Sequence, residues 1–265
     1  MADPSQSKAL SYSSYLKIDQ LLDLQELKSG EHDEMLFIII HQVYELWFKQ
    51  VKHELIFLQG ALEEGNVVVS LSAFNRVLTI LKTMVGQIDI LETMSPHSFL
   101  TFRSRLESAS GFQSVQFREM EFLLGMKNER MIAHHPEGTP GRARLEEAFG
   151  KPTLWDSFLR FLVRRGYEVS EEALERDVTL PIEPNEAVQQ VLVGIYRSES
   201  LEGLVAERMV DLDEGLQEWR YRHVKMVERT IGQKRGTGGS EGAAYLKTTL
   251  FKALFPDLWA IRTQL

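Results

Sequence analysis

The 265 residues contain no cysteine. Disulfides, thiolate metal sites, a cysteine nucleophile and covalent attachment of a c-type haem are excluded together, and metal ligands must come from histidine or carboxylate. Positive charge is also short: 30 Lys and Arg stand against 38 Asp and Glu, for a formal charge of -8. Affinity for phosphate rests mainly on Lys and Arg, so no nucleic-acid partner is expected. In the most apolar stretch, His32 to Leu58, Glu45, Lys49, Lys52 and Glu54 interrupt the pattern. A span needs roughly 20 apolar residues in a row, so no membrane partner is expected. Strand-type alternation of useful length and internal repeats are missing too. The start, MADPSQSKALSYSS, has no basic region followed by an apolar core, so a cytoplasmic protein is expected.

What is present is helical periodicity. With 43% hydrophobic and 26% charged residues the chain can bury a large core, and one domain over 1–265 is expected, with about 127–184 as a less regular insertion. In HDEMLFIIIHQVYELWFKQVKHELIFL the steps of three and four residues put Phe37, His41, Tyr44 and Phe48 on one stripe. An imidazole therefore points into an aromatic wall. A second stripe, Leu212, Leu216, Trp219, His223, Met226, Val227 and Thr230, carries another histidine. Ser95 and Pro96 stop one helix and start the next, where Arg103 shares a side with Phe99, Phe102 and Leu106. An arginine aimed inward needs an anion, either a nearby glutamate or a bound carboxylate.

Two apolar histidines on separate helices suit a haem iron ligand and a distal residue. Taken singly, each also fits an ordinary core histidine bonded to backbone. Mononuclear zinc would want three protein ligands, and neither helix offers them at suitable spacing, apart from Glu45 beside His41. KRGTGGSEG, Lys234 to Gly242, reads as a flexible connector or as a lid. The basic clusters Arg160, Arg164, Arg165 and Arg220, Arg222, Lys225 read as solvated helix faces.

The runs SYSSYLKIDQLL, HDEMLFIIIHQVYELWFKQ, ILETMSPHSFLTFRSRL, SGFQSVQFREMEFLLG, EWRYRHVKMVERTIGQKRGTGGSEG and FPDLWAIRT, in this order, resemble the tryptophan 2,3-dioxygenase family from end to end. The match is weakest from about Lys127 to Pro184. The resemblance implies an all-α helical bundle enclosing a b-type haem, commonly a homotetramer. It also implies an enzyme that opens the indole ring of L-tryptophan with O2 to give N-formylkynurenine. Carried over by position, His223 matches the proximal iron ligand and His41 the distal histidine bonding the indole nitrogen. Phe37 matches the indole pocket, Arg103 the clamp on the substrate carboxylate, and Thr237 the loop residue at the amino-acid end. Tyr12, Tyr15 and Leu16 match a helix that completes a neighbouring subunit's site, and Trp219 and Arg118 match haem-edge contacts. Two positions depart. Phe99 stands where certain members carry a tyrosine, and Ile88 where an aromatic is expected against the haem. The alternative is a related haem monooxygenase that turns a methylated tryptophan into an oxindole.

Overall fold

The computed structural model describes residues 9–238 and 242–265. Ser11 caps α1 (Tyr12–Leu16) through a reciprocal pair with Ser14. Lys17 then takes a left-handed conformation, φ 56°, and splits the expected N-terminal helix into α1 and α2 (Ile18–Leu22). Neither helix buries a residue. The chain next turns through KSGE, whose Lys28 and Ser29 amides both donate to the Glu34 carboxylate at 2.8 Å. That carboxylate, in the first turn of α3 (His32–Glu63), satisfies donors at a turn that would otherwise be open.

Asn66 starts α4 (Val67–Leu91) by accepting the Val69 amide. By length and composition α4 would pass for a membrane span. Its apolar residues Phe74, Val77, Leu81, Met84 and Ile88 are instead buried in the core, where α4 packs against α3 and against α12. Ser95 caps α5 (Pro96–Arg103) with Pro96 in its first turn, as the dipeptide predicts. Two short 3-10 turns lead to α6 (Val115–Leu123), capped by Ser114 and stopped at Gly125, φ 95°.

Within 127–184 the structure places α7 (Arg130–Ala133), α8 (Pro140–Phe149), α9 (Leu154–Arg164) and the four-residue α10 (Glu171–Leu174). Regularity is uneven here. The α9 residues Trp155, Phe158, Phe161 and Leu162 belong to the main core and pack α9 on α3, whereas α10 alone is helical between Gly166 and Pro184 among the described residues. Full burial of such side chains contributes about 1.5–3 kcal/mol each, which explains why this part of the stretch is held firmly.

After α11 (Glu186–Arg197), Ser200 caps α12 (Leu201–Ile231). Buried Asp213 on α12 accepts the amides of Leu254 and Phe255 and the indole N–H of Trp259. This carboxylate pins the chain end, including α14 (Pro256–Ala260), after the short α13 (Ala243–Lys247). The described residues are all-α, without a strand, in agreement with the expected fold class. The outcome that positions the site is simple: α4 lies between α3 and α12, and the two apolar histidines sit on its neighbours.

Candidate functional site

Between α3, α4, α5, α6 and α12 lies a cavity of about 280 Å³. Phe37, His41, Ile88, Phe99, Arg103, Arg118, Trp219, His223 and Thr237 all line it, so residues spread over 201 positions meet in one place. Tyr12, Tyr15 and Leu16 do not line it. They are exposed on α1, at 75%, 70% and 44%.

His41 is oriented by its own helix. Its Nδ1 lies 2.7 Å from the Phe37 carbonyl oxygen; a carbonyl can only accept, so Nδ1 carries the proton and Nε2 is left with its lone pair. Burial lowers the His41 pKa, since a charged ring is disfavoured away from water. The ring is therefore a neutral acceptor. Phe37 sits 4.2 Å from it between centroids, and Phe99 and Phe102 follow at 5.6 Å from Phe37. Together they form an aromatic wall suited to a flat, apolar ring.

His223 lies one turn beyond Trp219, and the two rings stack at 5.2 Å with 3° between planes. Burial first, then the neighbouring His41 and the positive guanidinium groups of Arg220 and Arg118, push its pKa down to about 4. At neutral pH this imidazole is unprotonated, the form that ligates a metal. Among the described residues no three His, Asp or Glu side chains cluster as a metal site. A single imidazole is enough when a macrocycle provides the other donors, as in a haem. The wall fits such a group in two further ways. Trp219 Nε1 is buried without a hydrogen-bond partner among the described residues, and the buried guanidinium groups of Arg118 and Arg220 line the same space.

Arg103 is half-buried, and its Nη2 donates to the Arg235 carbonyl at 2.5 Å. Its partner among the described residues is thus main chain rather than a glutamate. Thr237 Oγ1 donates to the Ala109 carbonyl at 2.5 Å, and a Cβ on Gly238 would come within 2.7 Å of Ser110. The loop is seated closely on 109–110, and Gly242, φ 60°, lets it turn back over the Lys234 carbonyl. Of KRGTGGSEG, residues 239–241 lie outside the described residues.

Some groups were not picked out from the sequence. Arg220, expected on a solvated face, is 6% exposed and pairs with buried Glu121 at 2.6 Å; it sits on the inward side of α12, three residues before His223. Its position beside Trp219 in an apolar stripe was the available signal. Of the other arginines in those clusters, Arg160 pairs with Glu63 and Arg222 with Asp89 on the solvent side, whereas Arg164 donates to the Glu64 carbonyl and Arg165 pairs with the buried Glu202 carboxylate. Tyr44 donates to the Met84 carbonyl at 2.6 Å, tying α3 to α4 beside the cavity, and burial pushes its phenol up to about 12.

A family model described as tryptophan 2,3-dioxygenase matches residues 2–139 and 196–265. The chain belongs to the tryptophan 2,3-dioxygenase family. A tryptophan 2,3-dioxygenase of Anaeromyxobacter sp. (strain K) is 58% identical over 263 residues, 99% of each chain. Relatives of the same name are 55% identical in Herpetosiphon aurantiacus, over 98% of this chain and 100% of the relative, and 39% identical in Ralstonia pickettii, over 98% and 94%. Against the tryptophan 2,3-dioxygenase family model, the unmatched 140–195 contains α8 to α10 and most of α11. Every cavity-lining residue lies in the matched parts.

Proposed function

We propose that this chain is a haem-dependent dioxygenase that cleaves the C2–C3 bond of the indole ring of L-tryptophan with O2, giving N-formylkynurenine. The observation that carries this reading is the meeting of two neutral histidines, an aromatic wall and an amino-acid-sized polar end in one cavity, in a chain with near full-length relatives of that name.

The cofactor is a b-type haem, as the family resemblance implies; the lack of cysteine excludes covalent c-type attachment, and His223 holds its iron. When bound, the haem supplies the ferrous centre at which dioxygen is activated. The protein's own residues place the substrate. His41 Nε2, with its lone pair directed away from the Phe37 carbonyl, accepts the indole N–H. That hydrogen bond orients the ring rather than deprotonating it, because an indole N–H is a far weaker acid than an imidazolium. Phe37 and Phe99 flank the ring. Arg103 pairs with the substrate carboxylate through two parallel hydrogen bonds, exchanging the Arg235 carbonyl for an anion. Thr237 holds the ammonium and carboxylate end, and Ile88 bounds the cavity from α4. Trp219 and Arg118 meet the edge of the haem.

The exposed apolar residues of α1, Tyr12, Tyr15 and Leu16, suit a second chain. We infer a homotetramer in which this helix completes a neighbouring site. A monomeric mass in sedimentation equilibrium contradicts that assembly. A cytoplasmic setting is in keeping with α4 being a core helix rather than a span.

Oxygen accounting separates this reading from the monooxygenase. If both atoms of dioxygen enter the substrate, the ring opens without outside electrons; if one leaves as water, with two electrons and two protons from an added reductant, an oxindole remains. With labelled dioxygen and L-tryptophan, mass spectrometry is expected to find two labelled atoms in N-formylkynurenine. An oxindole with one labelled atom, from tryptophan or a methylated tryptophan and without formylkynurenine, contradicts it. The clamp has its own test. Loss of one side of a buried charge pair costs about 2–5 kcal/mol, so Arg103→Ala is expected to raise KM for L-tryptophan steeply and to act almost equally on tryptophan and tryptamine. Undiminished discrimination between the two contradicts the clamp.

A further inference from the structure

Glu121 on α6 divides its carboxylate between two arginines. Oε2 accepts from Arg118 Nη1 at 2.5 Å, and Oε1 accepts from Arg220 Nη2 at 2.6 Å. One anion between two cations leaves a single positive charge over. A neighbouring arrangement shows why this matters. Glu119 also holds two cations, Lys52 and Arg144, but the Arg144 side chain is 47% exposed and water balances the charge at little cost. The side chains of Arg118, Glu121 and Arg220 are 6–7% exposed, and a buried charge without a counterpart is strongly disfavoured. The other carboxylate lining the cavity, Glu45, is only half-buried and accepts from the Gln116 amide at 2.9 Å; its charge is shared with solvent, and the ion pairs of Arg118 and Arg220 among the described residues are with Glu121.

The surplus charge faces the cavity, which all three residues line. Glu121 and the Phe112 carbonyl engage two of the N–H donors of Arg118, and a guanidinium has five. Its plane is held against Phe112 and Phe117, at 4.9 and 5.4 Å from their centroids, so the unused donors have a set direction. Arg220 is fixed in turn by Met126 Sδ at 2.9 Å, and stands one helical turn before His223.

We propose that Arg118, Glu121 and Arg220 form one charge-counted unit that recognises a carboxylate on the edge of the bound haem, with Glu121 and Arg220 as positioning residues acting through Arg118. This rests on the haem reading given above. The unit commits one end of the cavity to an anion and so sets which way round the macrocycle sits relative to His223. Two carboxylates are available in principle, the haem's and the amino acid's, and the assignment is to the haem's.

The test compares holoprotein loaded with haem and holoprotein loaded with its dimethyl ester, which lacks carboxylates. The rate at which each passes to an excess of a haem-free acceptor protein is followed in the Soret band. The parent is expected to lose the ester about tenfold faster, the scale of one charge-assisted hydrogen bond. Arg220→Met removes the surplus charge, and the ratio is expected to fall close to one. Arg220→Lys keeps the charge and the ratio. The double variant Glu121→Gln with Arg220→Met returns the count to one positive charge, and is expected to recover most of the ratio, which a merely structural role would not do. Should Arg220→Met fail to fold by circular dichroism, the lysine and double variants decide.

A parent ratio retained in Arg220→Met overturns the inference, as does a double variant no better than the single, or a lysine variant that behaves like methionine. Collapse of the tryptophan-to-tryptamine affinity ratio, with the cofactor ratio unmoved, gives the carboxylate to the substrate and overturns it as well. A parent that binds neither compound overturns this inference and the haem reading together, whereas an unchanged cofactor ratio overturns this one alone.

Discussion

The packing of α4 between α3 and α12 decides where everything else stands. Tyr44, one turn beyond His41, bonds the Met84 carbonyl, and the Trp219 ring that stacks on His223 lies 6.2 Å from the Tyr44 ring. The two imidazoles are thus fixed by helices whose opposite ends are locked elsewhere. α9 packs on α3, and Asp213 ties α12 to the chain end. A cavity in a close-packed interior survives only if its walls cannot collapse, and long helices anchored outside the cavity provide that stiffness.

The same burial produces the chemistry. Among the described residues neither histidine has a carboxylate at hydrogen-bonding distance; each is kept neutral mainly by removal from water. The Phe37 carbonyl then selects the tautomer of His41, so the protein holds a lone pair toward the cavity without holding a charge there. Positive charge is kept instead at the polar ends, on Arg103 beside the loop and on the Arg118 and Arg220 pair beside α12. An apolar middle with cationic ends is the complement of a flat ligand that bears carboxylates at its edge.

How much of this was legible follows from what sequence patterns record. Period and caps record local structure, so α3, α5 and α12 were readable from Phe37 and His41, from Ser95 and Pro96, and from the stripe between Leu212 and Thr230. Lys17 was not, because a lysine in a left-handed turn leaves no compositional mark. Nine of the cavity-lining residues could be named because helical spacing puts residues such as Phe37, His41, Arg103 and His223 on inward faces and the family resemblance adds others, among them Thr237 of the loop. Arg220 was missed because its charge resembles that of Arg222 and Lys225, which outweighed its place beside Trp219, and because its partner Glu121 stands 99 residues away. Tyr12, Tyr15 and Leu16 stay outside the cavity of their own chain.

The central claim is that His223 is the iron ligand of a cavity built for haem, and it is tested most directly by chemical rescue. His223→Gly is expected to lose the haem, or the spectrum of a five-coordinate ferrous haem, and to regain both when free imidazole fills the space left beside Trp219. Haem content and a ferrous spectrum identical to those of the parent, without added imidazole, would contradict the account.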